Sequence, residues 1–153
     1  MSEGFLGTAA PLAADVVLLL ETGMGVTLLA GAWLARTKRF RLHAWCQSAI
    51  VFVNLVVIAL EMLPSFRVQV LPRIPLKLGK NYVALAAAHA TLGGVAEILA
   101  VYILLAAGTR LLPEKMRIAR YKAWMQCVLA LWWLALLLGL ATYIRWYVLH
   151  SFR

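Results

Sequence analysis

Glu21, Asn54, His89, Glu97 and Tyr143 stand inside stretches of the chain that are otherwise almost wholly apolar. Carboxyl, imidazole and amide groups in such surroundings are costly to keep, and they tend to mark ligand sites, proton paths or bonds between helices. Their spacing adds to the case. His89, Gly93 and Glu97 fall at i, i+4 and i+8, along one stripe of a helix, and Glu21 and Gly25 repeat the i, i+4 pairing. Small residues beside polar ones let helices approach closely, so both stripes are expected to face the interior of a bundle. Asp15 and Glu61 are expected nearer one surface, as a mouth leading down to the buried groups.

Three kinds of chemistry fit this set. The first is glue: His89 bonds Glu21 or Asn54 and fixes the packing, at about 0.6–2 kcal/mol per bond in a membrane. The second is a haem or metal site with His89 as ligand, since a ligating imidazole needs a partner on its other nitrogen and Glu21 is placed to serve. The third is a proton relay through Glu61, His89, Glu21 and Glu97, because imidazole and coupled carboxylates titrate in an accessible range. One His with one Glu suits haem, copper or neither, so the ligand stays open.

A second candidate cluster is His43, Cys46, Met125 and Cys127, with Met116 in a nearby loop. Imidazole, thiolate and thioether together suit Cu(I), and Met and Cys also pack as ordinary apolar residues. His43 alone marks an interface, or holds a lipid phosphate with Arg41. His150 reads as a solvated tail residue. The sequence has no Ser/His/Asp set, no carboxylate pair of clear catalytic spacing and no phosphate-binding glycine loop followed by Lys, so an enzyme with its own turnover is not expected.

The elements that must position these groups are four apolar runs, Leu12–Leu34, Ala44–Leu63, Tyr82–Ala107 and Trp124–Val148. Each matches the ~20 residues a helix needs to cross a bilayer's hydrocarbon core. Backbone amides have no water there and must be satisfied within each segment, which selects helices. Of the 153 residues, 64% are hydrophobic and 14% charged, against about 25% charged in soluble domains. The expectation is an all-α integral membrane four-helix bundle built from two helical hairpins as one domain, residues 1–153, with no length left for a second. The N-terminus lacks a basic stretch ahead of its first apolar run, so no cleavable signal is expected.

The net charge is +9. In a soluble domain that would raise nucleic acid as a partner. Here all the Lys and Arg except Arg145 and Arg153 lie between the apolar runs, where positive charge sets topology and meets anionic lipid. No aromatic-basic platform for single strands appears, so nucleic acid is not expected. The first loop carries Arg36, Lys38, Arg39 and Arg41, and the third Arg110, Lys115, Arg117, Arg120 and Lys122 against Glu114. The second spreads Arg67, Arg73, Lys77 and Lys80 over a longer stretch broken by Pro64, Pro72 and Pro75. That bias puts loops one and three inside and both termini outside. Cys46 and Cys127 then lie near a reducing compartment, and neither a disulfide nor a zinc pattern is expected.

Counting along the runs at ~1.5 Å per residue gives depths of ~13 Å for Glu21 and ~10 Å for His89 from the outer boundary. Asn54, Thr142 and Tyr143 fall at a similar level, so one polar layer is expected, with one or two residues from every helix. His43 and His89 are ~20 Å apart along the membrane normal by the same rise and cannot be opposite axial ligands of one haem. Trp146 and Tyr147, with Arg145, read as an interfacial anchor. Trp132 and Trp133 read as core or subunit contacts that can also wall a planar cofactor. An internal echo links Arg41-Leu42-His43-Ala44-Trp45-Cys46-Gln47 to Arg120-Tyr121-Lys122-Ala123-Trp124-Met125-Gln126. A duplicated hairpin would give a pseudo-symmetric bundle with a site at the interface of its halves.

From helix two onward, over about residues 36–148, the chain resembles a family of small four-helix bacterial membrane proteins, domain of unknown function four-twenty. The resemblance is carried by His43 opening helix two after a basic loop, by Tyr82 and His89 seven residues apart, and by the spacing of Trp132, Gly139, Tyr143 and Tyr147 in the closing helix. The family's third His falls on Tyr121 here, beside Lys122. One branch of that family is linked to maturation of haem-A terminal oxidases. The resemblance therefore implies a multi-pass protein of the bacterial cytoplasmic membrane that helps assemble a respiratory terminal oxidase and handles haem through His89. The alternative is a haem- or quinone-linked electron carrier, or a non-catalytic structural subunit of a larger membrane complex.

Overall fold

The computed structural model describes residues 4–77, 79–109, 112–113 and 120–149. Arg110, Glu114, Lys115, Met116, Arg117 and His150 lie outside the described residues. Four helices account for most of the rest: α1 (Leu12–Arg36), α2 (Phe40–Lys77), α3 (Asn81–Gly108) and α4 (Tyr121–Val148). All four are long and apolar enough to cross a membrane. Each packs against its neighbours in the chain, and α4 closes the ring on α1. The bundle therefore runs up and down, with the basic turns at one end. The other end carries both termini, where the Ala9 amide bonds the Tyr147 carbonyl at 3.3 Å.

The α1–α2 turn is tight for a definable reason. Lys38 takes a left-handed conformation, φ 61°. This lets the Lys38 amide reach the Ala35 carbonyl (3.1 Å) and the Arg39 amide reach the Leu34 carbonyl (2.9 Å). The pair forms a Schellman motif that satisfies carbonyls left over at the helix end.

Helix two departs from expectation. It starts at Phe40 and runs on to Lys77, through the stretch that its three prolines mark as a loop. Proline costs a helix because it lacks an N–H and its ring meets the carbonyl four residues back. For Pro64 and Pro72 those carbonyls belong to Leu60 and Val68, and both lie in π-helical turns, Ile58–Met62 and Phe66–Val70. A π turn widens the spiral and takes up the misfit. Pro72 opens a 3₁₀ turn, Leu71–Arg73, and Pro75 sits in the short α-helical piece Ile74–Lys77 that follows.

Two apolar clusters bracket the bundle. Met24, Leu28, Ile50, Val51, Ala96, Ala100, Ile103, Val128 and Trp132 pack from all four helices toward the basic end. Val70, Val83 and Ala86, with Phe66, Ile74, Tyr82 and Trp146 against them, pack at the other. Outward faces carry exposed Leu19, Phe52, Ile98 and Leu137, as lipid contact requires. Trp33, Trp45 and Trp124 are exposed near the basic turns, where amphipathic rings favour the headgroup level.

Candidate functional site

Between the two clusters lies a cavity of about 830 Å³ lined by residues of all four helices. Its wall includes Glu21, Asn54, Glu61, His89, Gly93, Trp132, Trp133, Gly139, Thr142, Tyr143, Trp146 and Tyr147. The volume falls within the range of small-molecule and cofactor sites. No Lys or Arg is among its described lining residues.

His89 is positioned by α4. Its Nδ1 lies 2.8 Å from the Ala135 carbonyl oxygen, and a carbonyl only accepts, so Nδ1 carries the proton. In the neutral ring the Nε2 lone pair is then free. The ring lies over Gly139, where an added β-carbon would stand 2.8 Å from its Cε1. Gly93, one turn further along α3, faces Ala135. Small residues on both helices thus bring α3 and α4 close enough for the imidazole to reach backbone. The partner expected for His89 was Glu21 or Asn54; its described hydrogen bond goes to a main-chain oxygen instead.

The single polar layer resolves into three levels. Nearest the termini, Asp15 is fully buried, 0% exposed, and is not part of an open mouth. Its carboxylate accepts from the Tyr143 hydroxyl at 2.5 Å and from the Phe5 and Leu6 amides at 2.8 and 2.9 Å. Thr8 Oγ1 stands 2.8 Å from the same hydroxyl. Tyr143 is therefore committed to holding residues 4–10 across the end of the bundle, although it lines the cavity. His89 occupies the middle level. Deeper still, the Asn54 amide donates to Glu97 Oε2 at 2.8 Å. Asn54 sits lower than counted because α2 does not end at Leu63, so counting back from that residue places it too near the surface.

Glu21 is half-buried and lies close enough to Glu97 for the two to interact electrostatically. Glu21 Oε1, Asn54 Oδ1, Glu97 Oε1 and Trp133 Nε1 are buried with no hydrogen-bond partner. Glu61 is exposed, at the rim. Thr142 turns its hydroxyl back to the Leu138 carbonyl at 2.8 Å.

The second candidate cluster is dispersed. Cys46 and Met125 pack against the apolar core, and Cys127 is exposed. His43 Nδ1 lies 2.8 Å from the Gly31 carbonyl oxygen. Among the described residues no three His, Cys, Asp or Glu side chains come together as a metal-holding group. His43 closes the first hairpin instead. Tyr121 closes the second, donating to the Ala106 carbonyl at 3.1 Å. In the internal echo, Trp45 and Trp124 are both exposed, while Gln47 is half-buried beside Gly31 and Gln126 is exposed.

Of these residues, His89 is the one that would hold haem. A ligating histidine characteristically donates its second ring nitrogen to a carboxylate or backbone carbonyl, which fixes tautomer and orientation. His89 does so, in a cavity that Trp132 and Trp133 also line. Of the other candidate ligands, His43 is at the far end and the Tyr143 phenol is engaged by Asp15 and Thr8, while Met62 and Tyr147 line the same cavity as His89. No protein-family model matches this chain, and comparisons with curated proteins and with solved structures find no significant relative.

Proposed function

We propose that this chain is an accessory or assembly protein for a respiratory terminal oxidase, holding haem through His89. One observation carries the reading: His89 is locked by the Ala135 carbonyl with its other nitrogen free, in the wall of an aromatic-lined cavity of about 830 Å³. Imidazole is a common proximal ligand of haem iron. Ligation by His89 alone would leave haem exchangeable, which suits holding and handing over a cofactor. Electron transfer between saturated centres suits that arrangement less, so the carrier reading stands second. The resemblance in residues 36–148 supplies the link to oxidases. The basic α1–α2 and α3–α4 turns favour a bacterial cytoplasmic membrane with those turns inside.

Purification in mild detergent after growth with added haem precursor is the test. The expected result is a Soret band that disappears in His89→Ala. A strain lacking the gene is expected to carry less oxidase-bound haem, and normal oxidase haem content there overturns the assembly role.

A further inference from the structure

We propose that Glu21, Asn54 and Glu97 form a second binding site, separate from His89, for a hard monovalent cation: a proton or a sodium ion. The bond from Asn54 Nδ2 to Glu97 Oε2 fixes which way the amide faces, so Asn54 Oδ1 is left as an acceptor. Glu97 Oε1 and Glu21 Oε1 are acceptors too, and all three oxygens are buried without partners. Asn54 and Glu97 are themselves only 6% and 3% exposed. Three helices thus contribute three unmatched oxygens, with Glu97 bonded to Asn54 and within electrostatic reach of Glu21, and the one unmatched buried donor among the described residues is Trp133 Nε1.

Two carboxylates within reach of each other cannot both stay ionised and uncompensated inside a hydrocarbon slab. Lys and Arg do not compensate them, since none is among the described cavity lining. The compensation must come from a bound cation. All-oxygen ligation selects a hard one; a proton needs a single oxygen, and sodium would complete its shell with water or main-chain carbonyls. The titratable groups facing this region are Glu21 from α1, Glu61 from α2, His89 and Glu97 from α3, and Tyr143 and Tyr147 from α4, with Asn54 and Trp133 among the polar ones. Of these, His89 and Tyr143 have their own partners.

The test uses the full chain, purified without haem, in lipid nanodiscs. Infrared spectra taken in choline chloride at neutral pH are expected to show the carbonyl stretch of a protonated, buried carboxyl group. If sodium is the physiological occupant, sodium chloride removes this band and raises the thermal unfolding midpoint, while choline does neither. If the proton is, sodium leaves the band unchanged and only alkaline pH removes it. Glu97→Gln and Glu21→Gln are each expected to shift or abolish the band, and Asn54→Ser to displace its frequency. The proposal is overturned if the native protein shows neither the band nor a sodium response, or if both survive unchanged in the folded Gln variants. None of these readouts involves haem, so they stand or fall apart from the His89 reading.

Discussion

At the scale of single residues, the firmest polar contact is Asp15 with Tyr143. A carboxylate with no exposure accepts from a phenol and two amides, so each donor offsets part of a large desolvation cost. Tyr143→Phe is expected to lower stability by about 1–3 kcal/mol in a reversible detergent unfolding assay, the cost of an unmet buried acceptor. Amide exchange at Phe5 and Leu6 should speed up in the same variant. Gly139 offers a second check. A β-carbon there meets the His89 ring, so Gly139→Ala should cost about 1–3 kcal/mol through overpacking. At Gly94 nothing lies within 4 Å of an added β-carbon, and Gly94→Ala should be neutral or mildly stabilising. The residues of this neighbourhood were readable from the sequence because ionisable groups in apolar runs announce themselves. Their partners were less so. His89 and His43 bond main-chain carbonyls, which leave no signature in a sequence, and Asp15 looks like any acid in a first helical turn.

At the scale of elements, three of the four helices sit within a few residues of the apolar runs that foreshadow them. The exception is α2, whose prolines read as breakers because periodicity carries no mark of a π turn. That one difference moved Asn54 from beside His89 to beside Glu97. The α1–α2 turn gives a prediction of its own. Lys38 holds a left-handed conformation that costs a residue with a β-carbon about 1–2 kcal/mol. Glycine's greater freedom in the unfolded chain returns part of that. Lys38→Gly should therefore stabilise the protein by about 0.5–1 kcal/mol in the same assay, with Lys38→Asn in between.

At the scale of the whole molecule, the hairpins pack more closely within themselves than against each other, and the cavity is walled by both. The bilayer position predicts accessibility. In a variant with Cys46 and Cys127 replaced by Ser, Phe5→Cys should react with an impermeant maleimide in intact cells, and Lys38→Cys only after permeabilisation. The reverse pattern would invert the proposed topology. The length of α2 bears on how the molecule sits. Its 38 residues would measure about 57 Å at the α-helical rise, almost double a hydrocarbon core of about 30 Å. The surplus lies past Pro64, where Val68, Leu71 and Leu76 are exposed among Arg67, Arg73 and Lys77. Its inner side, Phe66, Val70 and Ile74, packs on Tyr82, Val83 and Trp146, and Arg73 lies over the Trp146 ring at 5.4 Å, so the exposed leucines are left for the acyl boundary and Arg67 and Lys77 for the headgroups. Tilt would then be governed by the lipid headgroups at that rim, and changing their charge should rock the entire bundle.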